Sequence, residues 1–239
     1  MKVLVGTSGF AFKEWKGPFY PEDLRDDDML RHYGTRFPTV EINNTFYRLP
    51  RESVLLEWVS QVPAGFTFSI KASQRITHYA RLKEESAASP LEFLLRNCEV
   101  MGDRLGVILF QCPPNLKKDL PRLQRFCDLL PAGRRFAFEF RNGEWYSDDV
   151  IAELRGRNLA LVVSDSEEFS GPMIPTADWG YARLHRFDYD DNALGTWARR
   201  IADEPWRETF VFFKHDYSPF TGPPAVAGFT DALPASARE

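Results

Sequence analysis

Eight short runs rich in β-branched and aromatic residues recur along this sequence, and most of the gaps between them carry apolar residues at helical spacing. The runs fall near 2–7, 38–43, 65–72, 104–111, 135–141, 159–164, 180–185 and 209–215. Between them, Leu91, Leu94, Leu95, Cys98 and Met101 follow a Ser89-to-Glu92 capping box, and Leu120, Leu123, Phe126 and Leu130 follow Asp119. Further stripes start behind Pro50, Ser147 and Asp191. Strand and helix alternating in this way over 239 residues predict a closed (β/α)8 barrel, a fold of about 250 residues, with an open doubly wound sheet as the rival. The stretch 166–178 lacks helical periodicity, so the unit between the sixth and seventh strands is expected to be irregular. No linker or internal repeat divides the chain, which reads as one domain over 1–239.

Side chains alternate along a strand, so each run can be sorted into a face toward the helices and a face toward the barrel interior. In the fifth run the aromatic face is Phe136, Phe138 and Phe140, which leaves Ala137, Glu139 and Arg141 inside. The second run puts Glu41 and Asn43 inside, and the third puts Ser69 and Lys71 there. By the same rule the fourth ends in Gln111, the sixth in Asp165, the seventh in Arg183 and His185, and the eighth in Lys214. Polar groups thus gather at the carboxyl ends of the strands, where barrel enzymes work.

Unpaired buried charges cost several kcal/mol each, roughly, so these groups must pair with one another, meet water or meet a ligand. One reading is an internal ion-pair network of Glu41, Lys71, Glu139, Arg141 and Arg183 filling the mouth. The other is a site for a small anion, with Lys71, Arg141, Arg183 and Lys214 suited to a carboxylate or phosphate and Glu41, Glu139 and His185 as acid–base candidates. A retaining glycosidase is disfavoured, because it needs carboxylates about 5 Å apart and the strands carrying Glu41 and Glu139 are not neighbours.

Formal net charge is −4, so no global basic field draws in a polyanion. Aromatic residues nonetheless crowd the expected loops, Tyr47, Tyr79 and Trp145 among them, and could stack on bases or sugars. The four histidines, His32, His78, His185 and His215, form no HExxH pair; no metal centre is expected and no cofactor is required. The first residues enter a strand without an apolar leader, and no run approaches the roughly 18 apolar residues of a membrane span. Cys98, Cys112 and Cys127 have no CxxC spacing and read as reduced thiols, so a cytoplasmic protein is expected, with no membrane partner.

The runs Val5-Gly6-Thr7-Ser8-Gly9-Phe10, Glu41-Ile42-Asn43 with Thr45-Phe46-Tyr47, Phe68-Ser69-Ile70-Lys71 with Ile76-Thr77-His78, Phe110-Gln111 and Phe138-Glu139-Phe140-Arg141 resemble the YecE-like family, in order and along nearly the whole chain. That resemblance implies a TIM-barrel fold and no established reaction. It adds Thr7, Tyr47 and His78 to the candidate ligand contacts. It departs in the eighth run, Phe213-Lys214-His215-Asp216, where the family pattern is Asn-rich. The functional expectation is therefore an acid–base enzyme of hydrolase or lyase type acting on an anionic, phosphorylated or sugar- or nucleotide-containing substrate. A nucleic-acid-binding or processing protein and a non-catalytic ligand sensor stand as alternatives.

Overall fold

The computed structural model describes residues 1–219 and 221–237. Nine strands are present among these: β1 (Lys2–Thr7), β2 (Thr39–Ile42), β3 (Thr67–Lys71), β4 (Leu105–Gln111), β5 (Phe136–Glu139), β6 (Ala160–Leu161), β7 (Val163–Asp165), β8 (Trp179–Leu184) and β9 (Glu208–Phe213). The helices are α1 (Met29–Gly34), α2 (Glu52–Gln61), α3 (Glu84–Cys98), α4 (Leu120–Asp128), α5 (Asp148–Gly156), α6 (Asp191–Ala202) and α7 (Gly222–Ala232), with short 3-10 turns and one π-helical turn between.

The hydrogen-bond ladders do not form the closed eight-stranded barrel that the alternation predicts. They make two all-parallel sheets, one of four strands in the order β1-β9-β8-β7 and one of five in the order β2-β3-β4-β5-β6. The architecture is α/β, and two seams explain why the ring is not continuous. At the first, the sixth run breaks at Val162: β6 pairs with β5, whereas β7 pairs with β8. At the second, no ladder joins β1 to β2. There the Tyr33 hydroxyl accepts from the Thr7 amide at 2.9 Å and donates to the Thr39 carbonyl at 3.0 Å, so a side chain spans the gap. Gly6 is required at this seam, because a Cβ on it would sit 2.0 Å from the Thr39 carbonyl oxygen.

The period-two sorting holds within the sheets. Leu4, Val107, Leu109, Ala137, Val162, Tyr181, Phe210 and Phe212 form a cluster drawn from both sheets. The opposite faces pack on the helices. Val40, Ile42, Phe68, Ile70, Phe136 and Phe138 meet the apolar sides of α1 to α5, and Val3, Val5, Leu184 and Val211 meet α6 and α7.

Helix starts follow local chemistry where a side chain is free to cap. Asp119 accepts from the Arg122 amide at 3.0 Å at the head of α4, and Asp190 accepts from the Ala193 amide at 2.7 Å at the head of α6. The expected start at Ser89 is corrected. α3 begins at Glu84, and Ser89 and Pro90 lie within it. Pro90 removes one backbone donor, but burial of Ala87, Leu91, Leu94 and Cys98 on one face carries the helix through. Between β7 and β8 no helix forms, as the missing periodicity implied.

Candidate functional site

Arg183, on β8, is 5% exposed and lies between two carboxylates supplied by the other sheet. Its Nε and Nη2 donate to Glu41 at 3.0 Å, and its Nη1 donates to Glu139 Oε2 at 2.6 Å. Glu41, one residue before the end of β2, also accepts from Ser8 Oγ at 2.7 Å, Tyr181 Oη at 2.7 Å and Asn43 Nδ2 at 3.1 Å. Glu139 ends β5 and accepts from Gln111 Nε2 and Arg141 Nε, both at 2.9 Å. Gln111 in turn accepts from Lys71 Nζ at 2.6 Å. Carboxyl ends of strands from both sheets therefore meet in one connected polar network.

Burial alone would push both carboxyls up. For Glu41 the Arg183 guanidinium overrides that penalty, and for Glu139 Arg183 and Arg141 together do so; each is held at about 2. Lys71 is lowered as well, to about 8, but here the charged form is disfavoured, because burial and the charge of Arg183 outweigh attraction from the two carboxylates. His185 is lowered to about 3 by burial and then by Arg183, so its imidazole is neutral. The Ser8 hydroxyl gives its one proton to Glu41, so at the 2.9 Å Ser8–His185 contact the ring must be the donor through Nε2. That fixes the tautomer and leaves Nδ1 without a hydrogen-bond partner among the described residues.

The network is graded in depth. Glu41 and Glu139 are buried, at 0% and 2% exposure, whereas Lys71, Arg141 and His185 are half-buried at the outer side. Three cations, Lys71, Arg141 and Arg183, face two carboxylates, which leaves one positive charge in surplus. Lys71 Nζ also lies 4.4 Å from the centre of the Phe46 ring.

The remaining sequence candidates fall outside this network. Thr7 shares the outward face of β1 with Val3 and Val5, and its hydroxyl donates to the Gly9 carbonyl at 2.6 Å. Asp165 accepts from Ser170 at 3.0 Å and Tyr189 at 2.9 Å, which ties down the β7–β8 connection. Lys214 lies beyond the end of β9, 3.3 Å from Asp216 and over the Phe187 ring. His78 bonds Thr77 at 2.9 Å and stands edge-on to Phe46; burial and then the charges of Lys71 and Arg141 lower its pKa. Tyr47 is 74% exposed and packs edge-on against Phe46.

Ser8, Tyr181 and Phe46 are not among the site residues expected from the sequence. Period-two sorting could have found the first two, since Ser8 continues the inner face of Leu4 and Gly6, and Tyr181 shares the face of Arg183. Phe46 lies on a 3-10 turn, Asn44–Phe46, where no strand parity applies. Among the described residues no group of three His, Cys, Asp or Glu side chains is placed to hold a metal ion. Burial pushes the thiols of Cys98 and Cys127 up to about 12 and Cys112 higher still, which leaves them unreactive at neutral pH.

The family model described as "Protein of unknown function DUF72" matches residues 4–239. The chain belongs to the DUF72 family. It is 25% identical over 233 residues to the UPF0759 protein YunF of Bacillus subtilis, covering 90% of this chain and 79% of that protein. It is 32% identical over 131 residues to the UPF0759 protein YecE of Escherichia coli, covering 54% of this chain and 47% of that one, in line with the YecE-like resemblance. The crystal structure of a DUF72 protein from Thermotoga maritima superposes with a TM-score of 0.82 at 27% identity, over 97% of this chain and 98% of that one. A DUF72 structure from Enterococcus faecalis gives 0.81 at 17% identity, over 97% and 95%. Neither family name, DUF72 or UPF0759, assigns a reaction. No helix among the described residues is long and apolar enough to cross a membrane.

Proposed function

We propose that the strand-end network binds a small anion between Lys71 and Arg141 and transfers protons to or from it, in a hydrolase- or lyase-type reaction on a phosphorylated or sugar- or nucleotide-containing substrate. The observation that carries this reading is the depth order: the two carboxylates are fully buried, whereas Lys71 and Arg141, which carry the surplus charge, are half-buried. An internal network built for stability alone would have no need of the surplus charge or of a lysine whose only hydrogen-bond partner among the described residues is a neutral amide.

Within this reading Arg141 supplies a charge-assisted hydrogen bond to the anion, and Lys71 is the proton donor, titrating near neutral pH. His185 presents a bare Nδ1 whose direction is set by the Glu41–Ser8–His185 chain. A bound anion raises the pKa of both Lys71 and His185, opposing the effect of Arg183, and brings the imidazole toward a working range. Glu41 and Glu139 stay ionised and serve as fixed counter-charges that position Arg183 and Arg141. The two carboxylates share one guanidinium, closer than their strand positions suggest, yet neither is protonated at neutral pH, so a glycosidase acid is not available from this pair.

The test is calorimetric titration with inorganic phosphate. Phosphate should bind the parent protein, and Arg141→Met and Lys71→Met should each weaken binding by about tenfold or more, the worth of a hydrogen bond to a charged group. Absence of phosphate binding by the parent, or affinities unchanged in both variants, would overturn the anion site.

A further inference from the structure

Beside this network, between the β2–α2 loop, the β3–α3 connection and α3, lies an open groove of about 1540 Å³. It exceeds the roughly 300–1,000 Å³ typical of a small-molecule pocket. Five large hydrophobic side chains are exposed among the described residues, and three of them, Tyr47 at 74%, Tyr79 at 70% and Phe93 at 49%, line this groove. Three arginines line it as well: Arg48, Arg51 and Arg75. None of the three guanidinium groups has an ion pair or hydrogen bond among the described residues, and the sole carboxylate in the lining is Glu52. On a chain of net charge −4, this is a local excess of unneutralised cations interleaved with exposed rings.

The wall that carries Arg75 and Tyr79 is built stiffly. Arg75–Tyr79 form a π-helical turn, and the chain then passes through Arg81 at φ 53° and Leu82 at φ 59°, a region that a leucine enters only under strain. Burial of Leu82 holds this conformation. So does Arg81, which donates to the Asn115 side chain at 3.1 Å and to its carbonyl at 2.7 Å. Tyr79 is therefore presented on a fixed support.

We infer that this groove is a binding site for single-stranded nucleic acid, with bases stacked on Tyr47 and Tyr79 and phosphates held by Arg48, Arg51 and Arg75. The pairing follows from the chemistry of the lining. Guanidinium groups without carboxylate partners suit phosphodiester oxygens, and an exposed tyrosine offers a ring face to any base without demanding a sequence. An acidic peptide would satisfy the arginines but give the two tyrosines nothing planar to stack upon. The groove does not depend on the anion site, although the Phe46 ring, 5.1 Å from that of Tyr47, lies between them.

Fluorescence anisotropy with labelled single-stranded oligothymidylate and oligouridylate of about 12 nucleotides tests this, since single-strand sites span about 4–16 nucleotides. Binding should appear at about 50 mM salt and weaken steeply by about 200 mM. Replacing Arg48, Arg51 and Arg75 together by Gln should lower the magnitude of the log–log salt slope by about 2, from about 0.7 per phosphate contact. Tyr47→Ala and Tyr79→Ala should each weaken binding about tenfold. The two oligonucleotides show whether DNA or RNA is preferred. All five side chains are exposed, and phosphate titration of the same variants confirms that the network beside the groove is intact. Arg141→Met should leave oligonucleotide affinity within about twofold, so failure of the anion site and failure of the groove are read separately. No binding of either oligonucleotide at low salt, or competition by polyglutamate with tyrosine variants unchanged, would overturn the inference.

Discussion

Arg183 holds two buried carboxylates at once, so its removal is the most revealing single change at the residue scale. Arg183→Leu leaves Glu41 and Glu139 without their shared counter-charge at 0% and 2% exposure. Breaking such a pair by deleting one partner costs about 3–5 kcal/mol, which urea denaturation at pH 7 should show as a lower midpoint. The deficit should shrink as the pH falls from 7 toward 4, because the stranded carboxyls, no longer held at about 2, take up protons and become neutral. A deficit independent of pH would locate the loss in packing instead. Much of this network was legible in the sequence. A period of two is enough to place Glu41, Lys71, Gln111, Glu139 and Arg183 on one face, and to place Ser8 there in preference to Thr7. Past a strand end parity is no longer binding: Ser8 and Arg141 keep it, Lys214 does not, and Tyr47 and His78 lie on turns where it does not apply. Their directions are set by turns and by neighbours distant in sequence, such as Asp216 and Phe187 for Lys214.

At the scale of elements, strand positions were readable because β-branched and aromatic runs bounded by turns are a local signal. Whether a ring of ladders closes is not local. It depends on register between the first and last partners, and here the chain leaves one seam without backbone pairing and breaks the sixth run at Val162. The start of α3 was misjudged because a Ser-x-x-Glu pattern at Ser89 matches a capping box by chance inside a helix already begun at Glu84. The β1–β2 seam carries its own test. Tyr33→Phe keeps the ring's packing but removes the hydroxyl that serves the Thr7 amide and the Thr39 carbonyl, both buried. An unsatisfied buried group costs about 1–3 kcal/mol, so thermal unfolding should move down accordingly, and the Thr7 amide should exchange with solvent faster than in the parent. Unchanged exchange at Thr7 would mean that the seam is held by packing and not by this bridge.

For the whole molecule, the shifted groups set the sign of the pH dependence in two windows. On the acid side, Glu41 and Glu139 lie at about 2 and His185 at about 3, each below its ordinary value of 4.5 or 6.5. The unfolded chain therefore binds more protons than the folded one as the pH falls through these ordinary values, and stability declines from about pH 6.5 downward until the folded-state pKa values are passed. On the alkaline side, Lys71 at about 8 lies below its ordinary 10.5, so between these limits the folded state has already lost the proton that the unfolded chain still holds. Stability should accordingly gain a rising contribution across that window, measurable as an increase in the urea midpoint of the parent relative to Lys71→Met. Phosphate reverses the trend. Its binding needs the protonated amine, so the stabilisation that phosphate gives should be largest below about pH 8 and fade above it. A phosphate effect that persists unchanged past pH 10 would place the anion away from Lys71, because an uncharged amine there no longer supplies the surplus charge on which the site depends.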